Sequence, residues 1–332
     1  MRKTKIVCTL GPSTDKGDVL RQLIENGMNV ARFNFSHGDY DEHRGRFEQL
    51  KALRTELGKP IAAMLDTKGP EIRLGTFKNG SEKLVTGQKF TLTSREVEGT
   101  NEICSITYKD LPHDVQPGGH IMLDDGLISL RIENVTDTDI SCVVENDGTI
   151  KTKKGVNVPG VHLSMPYMSQ RDKQDITFGA EQGFDIVSAS FTRCAADIME
   201  IRHLLDECHS NMKIIAKIEN QEGVDNIDEI LAVPGIDAVN FGPIDYAVSR
   251  QLKIGYSMGE EVHDAFKVLV EKCKAKGLGV LGPVVPPTKE NIDKAIADGY
   301  NMIILGNDMW HFQKALKELV SDAVEPVRAE TT

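Results

Sequence analysis

Met212-Lys-Ile-Ile-Ala-Lys-Ile-Glu-Asn-Gln-Glu-Gly223 decides how the rest of the chain is read. It begins as a short apolar run with the composition of a buried parallel strand. It ends in Lys217 and Glu219, side chains that an apolar core does not hold without partners. Alternation along a strand puts both on one face. A lysine and a carboxylate facing the same way at the carboxyl end of a buried strand suit a divalent metal and a charged substrate. They also suit a self-contained ion pair.

Strand–helix units extend from this stretch in both directions. Apolar runs at 5–10, 29–35, 61–65, 185–191, 212–219, 238–242, 278–282 and 301–305 read as strands. Helical patterns lie between them, from the turn at Gly11–Thr14 to about 26, then at 40–57, 170–182, 195–207, 224–232, 260–276, 289–298 and 309–320. Eight strand–helix units are the number that closes a (β/α)8 TIM barrel, an α/β fold with its site at the carboxyl ends of the strands. Between the third and fourth units the character changes. Short β-type runs at 89–93, 120–123, 127–132 and 140–144 are separated by Gly, Asp and Asn turns with no helical period. The expected division is therefore a barrel from 1–70 and 167–325, a small all-β unit at 71–166 inserted after strand 3, and a tail at 326–332.

Composition narrows the function classes. The 332 residues are 40% hydrophobic and 27% charged, ordinary for a folded protein. A formal net charge of −11 argues against nucleic acid or an anionic membrane as partner. An anionic substrate then needs a local cluster of cations or a metal. No apolar run reaches membrane-spanning length, and residues 6–10 are too short for a signal peptide. Six scattered cysteines without metal-ligand spacing read as reduced thiols, so the expected location is cytoplasmic.

In a closed barrel the polar residues at strand ends converge on one mouth. They are Arg32, Asn34, Ser36 and His37; Asp66, Thr67, Lys68 and Arg73; Ser190 and Arg193; Lys217 and Glu219; Asp245; and Asn307 and Asp308. Glu219 and Asp245, on adjacent strands, suit a divalent ion such as magnesium that also takes substrate oxygens. Arg32, Arg73 and Lys217 suit a carboxylate and a phosphoryl group. Other features read as structural. His43, His113, His120, His203 and His263 are expected on the surface, and Trp310 is expected to pack the last helix on the barrel. Lys151-Thr-Lys-Lys154 is either a solvated edge guard or a ligand contact.

Several stretches resemble bacterial pyruvate kinase: Lys3-Thr-Lys-Ile-Val-Cys-Thr-Leu-Gly-Pro12, Asn29-Val-Ala-Arg-Phe-Asn-Phe-Ser-His-Gly38 and Leu65-Asp-Thr-Lys-Gly-Pro-Glu-Ile-Arg73. So do Leu123-Asp-Asp-Gly-Leu127, Lys153-Lys-Gly-Val-Asn-Val-Pro-Gly160 and Ala216-Lys-Ile-Glu-Asn-Gln-Glu-Gly223. The resemblance implies that the insert is that family's lid. It implies that Arg32 holds the transferring phosphoryl group, that Lys217 stabilises its transition-state charge, and that Glu219 ligates Mg2+. Asn34, Ser36, Asp66 and Thr67 would bind K+, and Glu71 resembles the potassium-dependent subclass. Asn34, His37, Arg73 and Lys154 would face ADP or ATP.

By residue motif that likeness runs to about Ala232. The family's Arg-Gly-Asp-Leu-Gly and Thr-Gln-Met-Leu segments and its regulatory C-terminal domain are missing, and an altered homo-oligomer is expected. Pro234-Gly-Ile-Asp-Ala-Val-Asn-Phe-Gly-Pro-Ile-Asp245, Gly277-Leu-Gly-Val-Leu-Gly282 and Ile304-Leu-Gly-Asn-Asp308 resemble instead the second half of an HpcH/HpaI-type aldolase. That resemblance makes Asp245 the second metal ligand, with Mn2+ or Co2+ as alternatives to Mg2+, and puts Gly242 in the substrate pocket. The chain thus reads as a fusion or chimera with its seam in the helix after Gly223.

Three functions follow. One is phosphoryl transfer between phosphoenolpyruvate and ADP through a pyruvate enolate. Another is aldol cleavage or oxaloacetate decarboxylation through the same enolate, although such aldolases carry Gln where Lys217 stands. The third is an inactive barrel that still binds metal, nucleotide or a 2-oxoacid.

Overall fold

A computed structural model describes residues 4–124, 126–250, 252, 259–306 and 308–324. Reading along the strand Lys213–Ile218 shows how the barrel is built. Ile214, Ala216 and Ile218 face outward into the large cluster under the helices. Ile215 faces inward, with Val30, Met64 and Ala238. Two-residue alternation then turns Lys217 inward, at the end where the apolar filling stops.

The barrel strands are β1 (Lys5–Thr9), β2 (Val30–Asn34), β3 (Ala62–Asp66), β4 (Ile186–Ala189), β5 (Lys213–Ile218), β6 (Ile236–Phe241), β7 (Gly279–Pro283) and β8 (Met302–Ile304). Their parallel pairing closes when β8 meets β1 through Lys5↔Met302 and Ile6↔Ile303. This is the (β/α)8 architecture the apolar runs predict, with strand bounds within a few residues of expectation.

Local chemistry fixes most helix ends. Asp39 accepts the amides of Asp41 and Glu42 to start Tyr40–Leu57, and Gly58 at φ 59° ends it. Ser169 and Asp172 form a reciprocal capping box on Gln170–Gln182. Some barrel helices depart from the sequence reading, and the first, expected straight after the Gly11–Thr14 turn, begins only at Val19. The helix expected at 224–232 is two short pieces, Gln221–Asp225 and Ile227–Ile230. Asn220 starts the first by accepting the Gly223 amide at 2.7 Å, and Asn226 divides them, its side chain donating to the Arg193 carbonyl at 3.0 Å. A helix not expected at all, Pro243–Ser249, follows β6 with proline in its first turn and carries Asp245.

Between β3 and the Gln170–Gln182 helix the chain is almost entirely β. A seven-stranded sheet runs Ile72–Arg73, Gly155–Asn157, His120–Leu123, Ile128–Val135, Asp139–Val144, Lys89–Thr93 and Ile103–Ser105. Ser81–Leu84 pairs separately with Gly148–Lys151. One helical turn, Leu111–Asp114, interrupts the β pattern. Phe90, Leu92, Ile121, Leu130, Ile132 and Ile140 anchor a hydrophobic cluster separate from that of the barrel. Among the described residues no helix is long and apolar enough to cross a membrane. Asn307, the side chains of Asp308 and Trp310, and the tail lie outside the described residues.

Candidate active site

Four strand ends meet around Lys217. Its ammonium lies 3.2 Å from Asp66 Oδ1 and 3.2 Å from Glu219 Oε1, and donates to Ser190 Oγ at 3.0 Å. Arg32, one strand on from β3, donates through Nε to Asp66 Oδ2 at 2.8 Å and through Nη1 to Thr9 Oγ1 at 2.9 Å. Asp66 is 2% exposed and Glu219 4%. The result is a connected row, Arg32–Asp66–Lys217–Glu219, with charges alternating in sign. Burial alone would push the Asp66 carboxyl up, but Lys217 and Arg32 outweigh it and hold it below its ordinary value. Burial alone would lower Lys217, and Asp66 and Glu219 outweigh it in turn, raising it well above its ordinary value.

Backbone at the mouth is shaped around these side chains. Phe191 adopts φ 55°, costly for a bulky residue, and its amide donates to Glu219 Oε2 at 2.9 Å. A Cβ on Gly242 would come 2.6 Å from Glu219 Cγ, so only glycine leaves room there. Glu219 and Asp245 line one cavity of about 470 Å3. That cavity runs between the barrel mouth and the segment returning from the β-rich unit. There His162 Nδ1 lies 3.0 Å from Glu222 Oε1, and Arg193 donates to the Met165 carbonyl at 3.0 Å. Two carboxylates lining one cavity fit a hard divalent cation that takes further oxygens from substrate. Among the described residues no cluster of three or more His, Cys, Asp or Glu forms a closed metal cage.

Asn34 ends β2 and Ser36 follows it, beside Asp66 at the end of β3 and Thr67 just past it; Asn34 pairs with Asp66. Asn34 Oδ1 accepts the Ser36 amide at 3.1 Å, and Thr67 N–H donates to the Ser188 carbonyl at 3.0 Å. These four residues share one rim and are rich in oxygen, as a monovalent cation needs. His37 is exposed just beyond them.

Arg73 and Lys154 belong to the base of the β-rich unit and not to the row around Lys217. Arg73 donates to the Lys153 carbonyl at 2.7 Å and pairs with Glu71 at 2.7 Å, while Lys154 pairs with Asp124 at 2.7 Å. Lys154 is thus ion-paired within the unit.

The expectation that His43 is a surface residue is corrected. It is 3% exposed and stacks on Phe35 with ring centroids 4.1 Å apart, its Nε2 3.0 Å from the His37 carbonyl. Its place in the Tyr40–Leu57 helix, one turn after the Asp39 cap and facing Phe35, was the available signal. Thr9 and the Phe191 amide carried none, because one reads as a strand residue and the other acts through its backbone. Asn240 lies beside Lys217 in register, and its Oδ1 is buried with no hydrogen-bond partner among the described residues.

A family model described as pyruvate kinase, barrel domain, matches residues 1–285, well past the helix after Gly223. The likeness therefore reaches further than the motifs that end near Ala232. The pyruvate kinase of Sporosarcina psychrophila is 43% identical over 323 residues, 93% of this chain and 54% of that protein. That of Bacillus licheniformis is 44% identical over the same length and shares. The Staphylococcus aureus (strain MRSA252) enzyme is 47% identical over 235 residues, 70% of this chain and 40% of that protein. A crystal structure of a pyruvate kinase from Cryptosporidium parvum superimposes with a TM-score of 0.81 at 32% identity, covering 92% of this chain and 64% of that one. The chain spans about half the length of the curated relatives it matches. With the barrel closed, the Lys217 row at its mouth and the family match running through β7, the chain belongs to the pyruvate kinase family.

Proposed function

We propose that this chain carries phosphoryl transfer between phosphoenolpyruvate and ADP. The observation that carries the reading is the Lys217 ammonium, held by Asp66, Ser190 and Glu219 at the mouth of a barrel of this family. Phosphoryl transfer asks of a protein mainly positioning and fixed positive charge. Lys217 meets the charge that develops on the transferring group, and Arg32 holds that group from the next strands. Because its pKa is raised, Lys217 serves as a fixed cation and keeps its proton near neutral pH.

Glu219 and Asp245 would hold Mg2+, or Mn2+ or Co2+, which supplies Lewis-acid stabilisation of the enolate oxygen. Asn34, Ser36, Asp66 and Thr67 would hold K+. Gly242, where a side chain would collide with Glu219, would flank the substrate. Asn34 and His37 on the barrel, with Arg73 and Lys154 on the β-rich unit, would bracket ADP, so that the unit acts as a lid and excludes water during transfer. The same reading makes the protein cytoplasmic.

Pyruvate formation, coupled to lactate dehydrogenase in the presence of magnesium and potassium, tests this. Lys217→Met is expected to lower kcat by about 10²–10³-fold. Equal rates in the two proteins overturn the assignment.

A second reading, carbon–carbon bond cleavage through the same enolate, rests on Glu219 and Asp245 lining one cavity. Release of pyruvate from a 4-hydroxy-2-oxoacid or from oxaloacetate without ADP would favour it over transfer.

A further inference from the structure

The chain leaves the barrel after β3 and rejoins it at Ser169, and one buried carboxylate touches both crossings. Asp172 is 1% exposed. Its Oδ2 accepts the Ser169 amide at 3.0 Å and the Ser169 hydroxyl at 2.5 Å, and Ser169 Oγ accepts the Asp172 amide at 3.1 Å, closing the capping box of its own helix. Its Oδ1 accepts the Gly69 amide at 3.1 Å, a contact across 103 residues of sequence that the helix does not need.

Gly69 has little room to shift. It sits at φ +71°, and a Cβ there would lie 2.6 Å from the Ser190 carbonyl oxygen. That same oxygen accepts the Tyr167 hydroxyl at 3.0 Å, from the returning segment. Two residues before Gly69, Thr67 is tied to the Ser188 carbonyl. The turn 66–70 is thus held against β4 on one side and by Asp172 on the other.

We propose that Asp172 is a positioning residue that fixes this turn, and with it Asp66 and Thr67, while setting both chain crossings of the β-rich unit. Its kinetic consequence rests on the potassium-dependent phosphoryl-transfer reading given above; its effect on the turn does not. Ser169→Ala weakens the helix cap and leaves the Gly69 contact in place. Asp172→Ala removes the Gly69 contact and one half of the cap, while the Ser169 hydroxyl still accepts the amide of residue 172. Asp172→Asn keeps one carbonyl oxygen for Gly69.

Hydrogen exchange read by mass spectrometry separates these cases without any turnover. Asp172→Ala is expected to speed exchange over 66–75 by about tenfold or more, Ser169→Ala by no more than about twofold, and Asp172→Asn by no more than about threefold. In the unaltered chain the Gly69 amide is expected to exchange as slowly as those of the barrel strands, a measurement that stands even where a variant does not fold. Fast exchange of that amide, or equal acceleration of 66–75 in Ser169→Ala and Asp172→Ala, overturns the proposal. In the enzyme assay the potassium half-saturation constant of Asp172→Ala is expected to rise about tenfold, as when a residue supporting metal ligands is lost. If the unaltered chain forms no pyruvate, the kinase reading falls and the exchange data alone decide on Asp172.

Discussion

Asp66 and Lys217 each keep the other ionised, and the directions of their shifts set a pH window. The Asp66 carboxyl is held below its ordinary 3.8, so its contribution to stability is complete above that value and lost as pH falls through the lowered one. The Lys217 ammonium is raised above its ordinary 10.5, so its contribution is complete below that value and lost as pH rises through the raised one. Between those limits the Asp66–Lys217 pair stays charged. His43 behaves differently. Burial, the largest influence on it, lowers its pKa below 6.5, so the unfolded chain binds a proton that the folded chain refuses. Stability should then fall as pH drops below 6.5. A phenylalanine at 43 keeps the stack on Phe35 and removes the titration. His43→Phe is expected to flatten the stability difference between about pH 7.5 and about pH 5.5, measured by urea unfolding, and an unchanged slope would contradict this assignment.

At the level of elements, the barrel strands were legible because each is an apolar run bounded by polar turns. Lys217 and Glu219 were legible because alternation puts two charged side chains on one face where the apolar run of β5 ends. The stretch after β5 was not, because its helix starts at a polar cap, Asn220, ahead of any apolar residue. Likewise Pro243–Ser249 shows a proline and an aspartate where the eye looks for a strand end. The edge strands Ser81–Leu84 and Gly148–Lys151 are short and half polar, so they carry no period to read. Asn220 offers a direct test. Asn220→Ala removes the acceptor for the Gly223 amide and is expected to cost about 1 kcal/mol of stability in urea unfolding. A variant as stable as the parent would mean that the cap contributes nothing.

For the molecule as a whole, the meeting of Gly69 and Ser169 at one side chain has a further meaning. The β-rich unit begins and ends at the same spot on the barrel wall, so β3 and β4 stay neighbours whatever length of chain intervenes. Loop closure depends weakly on length, about 0.6 kcal/mol per doubling. Replacing residues 71–166 by a short Gly–Ser linker is therefore expected to leave a cooperatively melting barrel while abolishing ADP binding, checked by circular dichroism and calorimetric titration. Loss of the folded barrel would show that the unit props up its host. Otherwise β3 and β4 form a socket, a point where a barrel can gain, shed or exchange a module without its own wall being rebuilt.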